Sequence, residues 1–151
     1  MSSDAESAII IGSIVGVTAI FLAVLLRAAG KSRARVLAVI DAELARCKRD
    51  GVPVLHGPGA AMLHGGRVLQ PASAMVTPGQ LVFFDVGGAR PLALTELGAP
   101  TSVVHWRGLS RPGRTWLVFP HGGKDFGISV ATDYAAQWLD AIAKGVSAAA
   151  R

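Results

Sequence analysis

The sequence predicts an α+β protein, mainly β: an N-terminal transmembrane helix followed by an antiparallel β-barrel or sandwich that a C-terminal helix caps. Three observations predict this class. Ala8–Leu26 is apolar and uncharged, the chain from Gly51 onward is rich in glycine, proline and short apolar runs, and the last segment has helical periodicity. With 151 residues the chain is long enough for about one domain.

Composition excludes several other classes. Hydrophobic residues make up 51% of the chain and charged residues 17%, and the mean hydropathy is +0.45. A chain this apolar is not predominantly disordered. It has a single cysteine, Cys47, so neither a disulfide framework nor a cysteine-based zinc site is expected.

The segment Ala8–Leu26 is the predicted membrane anchor. As a helix it would be about 28 Å long, close to the about 30 Å of a bilayer's hydrocarbon core. A buried core helix and a cleaved signal peptide are the alternatives. Both fit less well, because the run is long and uncharged and no Lys or Arg precedes it.

Charges that flank the segment predict its orientation. The N-terminal side has no basic residue, whereas four follow the segment: Arg27, Lys31, Arg33 and Arg35. The positive-inside rule then leaves a short tail, residues 1–7, outside the cell and everything from Arg27 onward in the cytoplasm. The predicted location is therefore the cell membrane, single-pass, and the four cations are expected near anionic headgroups.

A basic juxtamembrane helix is predicted over residues 27–50. Its periodic part is Ser32–Arg49, and Asp50-Gly51 is the stop signal. Four residues recur at spacings of three and four along one stripe: Leu37, Ile40, Leu44 and Cys47. Packing against the protein's own domain is favoured over a short coiled coil.

A homodimer is the alternative that a second pattern supports. Gly12 and Gly16 form a GxxxG pair within the apolar segment, and small residues at this spacing let two helices approach closely in lipid. Glycine is common in such helices, so the pair is a weak indication of a dimer face.

The chain after Gly51 reads as short strands separated by turns of glycine and proline. Leu81–Phe84 and Trp116–Phe119 are continuous apolar runs, which predicts strands covered on both faces. The predicted strands are Ala60–His64, Val68–Gln70, Ala74–Thr77, Leu81–Val86, Leu92–Leu97, Ser102–Arg107, Thr115–Phe119 and Asp125–Val130.

A C-terminal helix is predicted after the last strand. Thr132 or Asp133 is the expected N-cap, and Gly145 the expected end. An apolar stripe runs along the helix through Tyr134, Ala135, Trp138, Leu139 and Ile142. Such a stripe must be buried, and the open end or groove of a curved sheet is the expected place.

About seven antiparallel strands followed by one helix with a central Trp resemble the pleckstrin-homology-like superfold, in particular bacterial PH-like and GRAM-like domains. The resemblance covers Gly57–Gly145 and gives a PH-like domain over residues 51–147, with 148–151 as a tail. Trp138 is then a core plug between two sheets. The segments that carry it are Gly79–Asp85, Pro91–Leu97, Trp116–Phe119, Phe126–Val130 and the Trp138 helix.

The resemblance implies an adaptor that binds lipid headgroups, peptides or partner domains. Lipid-binding members hold phosphates with several basic residues on the first strand pair, where this chain has only Arg67. A denser group follows later, Arg107, Arg111 and Arg114, and arginine forks match phosphate and carboxylate. These four residues are the candidate ligand loop, with a solvated turn as the favoured alternative for the last three.

Catalytic patterns are missing from the sequence. The four histidines are His56, His64, His105 and His121, and they form no HxH or HExxH pair. No GxSxG elbow, phosphate loop or carboxylate pair is present. We therefore expect no enzyme, no metal and no cofactor.

The function predicted from the sequence is a membrane-anchored, non-catalytic recognition or scaffold module at the cytoplasmic face. It would bind a membrane-associated protein partner through a strand edge or the groove beside the Trp138 helix. The alternative is binding of anionic lipid headgroups through Arg107, Arg111 and Arg114. Membrane lipids and a second copy are the other expected partners, and nucleic acid is not expected, because the domain from Gly51 onward is only weakly basic.

Overall fold

The computed structural model describes residues 3–64 and 69–150, with side chains for 22, 24, 27, 28, 30–59, 73–123 and 125–150. The chain divides into two compact units, Met1–Arg35 and Val36–Arg151. Helix α1, Ser3–Arg49, begins in the first unit and ends in the second. In the first unit Leu22 and Val24 are exposed, as are the four cations that follow.

The predicted transmembrane helix is corrected by the structure. Among the described residues, no helix is long and apolar enough to cross a membrane. The described side chains of α1 lie mostly from residue 27 onward, where Arg, Lys, Asp and Glu occur among the apolar residues, and that stretch lacks the long uncharged run that a span needs. The finding contradicts the single-pass membrane protein and the membrane location, and we withdraw both. Most side chains of Ala8–Leu26, and the Gly12 and Gly16 pair, lie outside the described ones.

The second unit is built on an antiparallel sheet of seven strands in the order β4-β3-β2-β1-β7-β6-β5. A 3-10 helix, Leu94–Glu96, follows β4, and another, Thr132–Tyr134, leads into helix α2, Ala135–Ala149. The strands are β1 His56–His64, β2 Leu69–Thr77, β3 Gln80–Asp85, β4 Gly88–Ala93, β5 Thr101–Val103, β6 Arg114–His121 and β7 Lys124–Ala131.

The sheet is open, which corrects the predicted barrel or sandwich. β4 and β5 are the two ends of the strand order, and no pairing joins them in the described part of the chain. The physical reason is local: β5 has only three residues, and Leu94 turns the chain out of β4 into a 3-10 helix. Closure of a barrel needs a ladder of hydrogen bonds between the end strands, and this segment supplies none.

Several strand predictions change at their ends. Residues 69–70 and 74–77 of the predicted strands Val68–Gln70 and Ala74–Thr77 fall in one strand, β2, and Val68 lies outside the described residues. The predicted strand Leu92–Leu97 is shifted: β4 ends at Ala93, and the rest is helical or irregular. The predicted strand Ser102–Arg107 keeps only its start in β5.

The core confirms that β3 and β6 are covered on both faces. Leu81 and Phe83 of β3 point into the main core with α2, whereas Val82 and Phe84 point into a second cluster with α1. This alternation follows from the period of two along a strand. The main core is formed by Ala74, Val76, Leu81, Phe83, Leu94, Leu117, Phe119, Ile128, Val130, Trp138, Ala141 and Ile142.

The last turns of α1 pack on the sheet, as the periodicity favoured. Ile40 and Cys47 are buried against Met75, Val82 and Phe84 of β2 and β3. Leu44 is half-buried in the same cluster, but Leu37 is 52% exposed. The predicted stripe therefore contacts the sheet through three of its four residues.

The end of α1 at Arg49 is as predicted and forms a Schellman motif. The Val52 amide donates to the Cys47 carbonyl at 2.8 Å, and the Gly51 amide donates to the Lys48 carbonyl at 3.4 Å. Gly51 has a φ of +67°, a conformation that glycine adopts without a steric penalty.

Helix α2 starts and ends later than predicted. It begins at Ala135, after the 3-10 turn that contains Thr132 and Asp133, and no side chain caps it. It continues through Gly145 to Ala149, because Gly145 is packed: a Cβ there would lie 2.6 Å from Leu94 Cδ1. Trp138 is 3% exposed within the main core, on one face of the single sheet that the described strands form.

Candidate functional site

The arginines that the sequence singled out, Arg107, Arg111 and Arg114, lie in or directly after the loop of residues 104–113. We call this loop the basic loop. The loop turns at Arg107, which has a φ of +50°, and Gly108, with a φ of +73°. Backbone hydrogen bonds in both directions between Trp106 and Leu109, 3.1 and 2.9 Å long, close the turn. This turn is why the strand predicted to reach Arg107 stops at Val103.

Trp106 anchors the basic loop to the sheet. Its side chain is buried against Trp116 and Val118 of β6, with Val103 and Leu109 packed around it. The ring also covers Gly127 of β7. The loop therefore has a fixed position on the outer face of β6 and β7, although most of its other side chains are exposed.

The three arginines make different contacts. The exposed Arg107 guanidinium lies 4.8 Å from the centroid of the Trp106 ring, and Nη2 donates to the Asp125 carbonyl at 3.4 Å. Arg114 instead points along the sheet: its Nε donates to Ser129 Oγ at 2.9 Å, and its Nη2 donates to the Ser129 carbonyl. Burial, and then the charge of Arg111, lower the pKa of Arg114.

Arg114 is thus a cross-strand residue that binds β6 to β7. Arg107 and Arg111 stay exposed at the loop, and Arg67 lies outside the described residues. The predicted ligand set is therefore reduced in the described part of the chain to two exposed arginines, which weakens the case for a phosphate cluster.

A groove opens on the other side of β5. It has a volume of about 600 Å³ and lies between α2 and the segment that links β4 to β5. We call it the α2 groove. Most of its lining is apolar, and it consists of Leu94, Thr95, Leu97, Gly98, Ala99, Pro100, Phe119, Leu139, Ile142, Ala143 and Val146.

The α2 groove is contiguous with the end of the sheet. Gly98, Ala99 and Pro100 line it, and the next residue, Thr101, begins β5. β5 pairs with β6 from Thr101↔Val118 to Val103↔Trp116 and is the last strand in the order. Among the described residues no strand pairs with the other edge of β5, and this edge therefore starts where the apolar groove ends. A strand edge beside an apolar groove is a surface that can accept an extended chain.

The shape of the groove is maintained by close backbone contacts. The Gly98 amide donates to the Pro120 carbonyl at 2.8 Å, and a Cβ at Gly98 would lie 2.9 Å from Pro120 Cγ. Gly79 donates its amide to the Gly145 carbonyl at 3.0 Å, and its own carbonyl accepts from Leu94 at 2.8 Å. These bonds tie the two walls of the groove to the core.

The histidines are dispersed. The His56 ring packs edge-on against Trp138, with centroids 4.6 Å apart, and burial lowers its pKa. His121 Nε2 lies 3.9 Å from Glu96 Oε2, and His105 is exposed on the basic loop. Among the described side chains no group of three His, Cys, Asp or Glu residues is placed to hold a metal ion. The side chain of His64 lies outside this description.

Comparison with known proteins identifies no relative: no family model, no curated protein and no solved structure matches the chain. The site is therefore argued from its geometry alone.

Sequence reasoning expected a groove beside the Trp138 helix but missed the residues of its opposite wall. Leu94 and Leu97 were assigned to a strand, and Gly98-Ala99-Pro100 was not assigned to a site. One signal was present: Val146 extends the apolar stripe of Leu139 and Ile142 by a further turn, beyond the predicted helix end at Gly145. An apolar stripe longer than the core it covers indicates a partly open surface.

Proposed function

We propose that Val36–Arg151 is a non-catalytic recognition module that binds a protein partner through the α2 groove and the edge of β5. The observation that carries the proposal is the continuity of an apolar groove of about 600 Å³ with a strand that ends the sheet. Main-chain hydrogen bonds to a strand edge supply affinity, and an apolar pocket beside it supplies specificity.

The two ends of the sheet support the choice of β5 over β4. β4 contains Pro91, which has no amide hydrogen to donate, and Arg90, whose Nη2 lies 3.0 Å from the buried Asp85 carboxylate. Proline and charge are features that block edge pairing. β5 consists of Thr101, Ser102 and Val103 and therefore contains neither a proline nor a charged residue.

We also propose, as part of this function, a relationship to PH-like recognition domains. Support comes from the number of antiparallel strands and from the C-terminal helix whose buried Trp138 packs on one face of the sheet. Binding of anionic headgroups through Arg107, Arg111 and Arg114 is less well supported, because Arg114 is bonded to Ser129.

A peptide-display selection tests the proposal. The full chain would be screened against a displayed library of random short peptides, and the enriched peptides would be measured on two variants. Val146→Asp puts a charge into the groove at a side chain that is 40% exposed. Val86→Asp makes the same change at a side chain that is 60% exposed in the turn after β3, and is the matched control.

We expect Val146→Asp to weaken peptide binding about tenfold or more, because a charge in an apolar pocket must be desolvated. Val86→Asp should change binding by less than about twofold. Thermal unfolding of both variants checks that each is folded. Peptides that bind both variants equally, or a selection that yields no peptide dependent on the groove, would overturn the proposal.

A further inference from the structure

We infer that the α1 segment Arg27–Arg35 binds an anionic phospholipid surface through exposed cations on one side of the helix. The segment would lie on the headgroups and would not pass through the bilayer. This inference goes beyond the proposed function, because it concerns the first unit of the chain and needs neither the α2 groove nor β5. It is carried by the charge, the exposure and the spacing of the described side chains.

Four basic side chains occur within nine residues of α1, and all four are exposed. They are Arg27, Lys31, Arg33 and Arg35. Between Glu6 and Asp41 the sequence contains no acidic residue. Among the described side chains, none of the four cations forms an ion pair. Their charge is therefore not neutralised by a neighbour in the described part of the chain, and it attracts an anionic surface.

Helical spacing places three of these cations on one side of α1. Arg27, Lys31 and Arg35 follow one another at intervals of four residues, and side chains at this interval share a face of a helix. Arg33 is two residues from both Lys31 and Arg35, so it points to the other side. We call Arg27, Lys31 and Arg35 the basic stripe.

Exposed apolar side chains precede the basic stripe. Val24 is three residues before Arg27, on the same side of α1, and is 60% exposed. Leu22 is also exposed but lies on the other side, two residues from Val24. Cations beside an exposed valine fit a lipid surface, because the cations meet the headgroups while the valine enters the boundary of the acyl chains. A nucleic acid has phosphates for the cations but no such environment for the valine, and we therefore argue for lipid.

The dimensions of a helix explain why the side of α1 matters. An α-helix with its side chains is about 10–12 Å across. The attraction of a charge to an anionic surface falls off within about 8–10 Å at moderate salt. When the basic stripe faces the headgroups, Arg33 on the far side therefore contributes less than Lys31.

Co-sedimentation of the full chain with vesicles tests the inference. One set of vesicles contains phosphatidylglycerol and phosphatidylcholine, and the other contains phosphatidylcholine alone. We expect binding to the first set that is stronger than to the second and that falls as the salt concentration rises. Lys31→Gln should weaken binding about fivefold and Arg33→Gln by less than about twofold. Replacing all three residues of the basic stripe by glutamine should weaken it about a hundredfold.

The matched control replaces three exposed cations outside the segment, Lys48→Gln, Arg107→Gln and Arg111→Gln. Both triple variants lower the formal net charge of +5 by three, so a general effect of charge would appear equally in both. The control should change vesicle binding by less than about threefold. Circular dichroism of both triple variants checks that the helices are retained.

A second pair of variants separates lipid from nucleic acid. Val24→Asn should weaken vesicle binding about threefold or more, because the valine loses its place at the acyl boundary. Leu22→Asn makes a similar change on the other side of α1 and should alter binding by less than about twofold.

Several outcomes would overturn the inference. Equal losses in the two triple variants would do so, as would vesicle binding that salt does not weaken. Binding of a short double-stranded DNA that requires the basic stripe, without vesicle binding, would overturn it in favour of nucleic acid. A peptide selection that fails to depend on the α2 groove would overturn only the proposed function, because the vesicle measurements do not involve that groove.

Discussion

The ring of Trp106 occupies the space that a side chain on Gly127 would fill. A Cβ built on Gly127 would overlap three carbon atoms of the indole, the second nearest at 2.7 Å. Trp106 belongs to the basic loop and Gly127 to β7, so this contact determines how closely the loop lies on the sheet. Glycine is needed at position 127 because the site has no room for a side chain. Its φ is not positive, so the backbone conformation is not the reason.

Gly127→Ala should therefore destabilise the domain by about 2 kcal/mol, because the added methyl forces the indole or the strand to move. The measurement is the free energy of unfolding from urea denaturation. Combining the change with Trp106→Leu should recover part of the loss, since the two positions are in contact. If the effects of the two single changes on the free energy of unfolding are additive, the contact between Trp106 and Gly127 does not cause the destabilisation.

Gly51→Ala should destabilise the end of α1 by about 1 kcal/mol, because Gly51 adopts a φ of +67° that disfavours a Cβ. Gly30→Ala is the control: Gly30 lies within α1 with no atom in the path of a Cβ, and alanine there should favour the helix by up to about 1 kcal/mol. Gly51→Ala should lower both the helicity measured by circular dichroism and the unfolding midpoint, whereas Gly30→Ala should raise both. Equal shifts would contradict the Schellman motif.

Ile40→Ala should lower the free energy of unfolding by about 2–4 kcal/mol, because Ile40 is 8% exposed in the cluster with Met75 and Phe84. Leu37→Ala removes a side chain that is 52% exposed one turn earlier and should cost less than about 1 kcal/mol. Chemical denaturation of both variants tests whether the last turns of α1 belong to the folded unit. If the two variants lose a similar free energy of unfolding, the last turns of α1 do not belong to the folded unit.

The stability of the domain should fall as the pH drops below about 6.5, the ordinary pKa of histidine. Burial against Trp138 lowers the pKa of His56 in the folded state, so the unfolded chain takes up this proton first. The contribution of His56 is fully present above the unfolded pKa and is lost as the pH falls through the lowered folded pKa. Thermal unfolding across this range should show a smaller pH dependence in the His56→Gln variant, and an unchanged dependence would exclude His56 as its source.

The rough positions of most strands could be predicted because their signals are local, although eight strands were expected and the described residues form seven. Turn residues such as Pro78-Gly79 and His121-Gly122-Gly123 interrupt apolar runs, and continuous runs such as Leu81–Phe84 do lie in strands buried on both faces. The end of α1 was predictable for the same reason, since Gly51 and Pro53 are signals within one turn of it.

The candidate site was predicted less well. Arg107, Arg111 and Arg114 are close together in sequence, but Arg114 bonds to Ser129, a residue on the neighbouring strand. The walls of the α2 groove come from Leu94–Pro100 and from α2, which are far apart along the chain. The spacing of residues within one segment does not indicate that Arg114 bonds to Ser129, or that Leu94–Pro100 and α2 form the walls of one groove.

The sequence by itself determined the class of secondary structure, the composition of the core and the position of the helix stop at Gly51, because each depends on residues within a few positions of one another. Only the tertiary structure decided that the sheet stays open between β4 and β5, that the last turns of α1 cover one face and α2 the other, and that an apolar groove is contiguous with β5. Those features depend on strand register and on contacts between distant segments, and the physical chemistry of a local pattern does not specify which segments will meet.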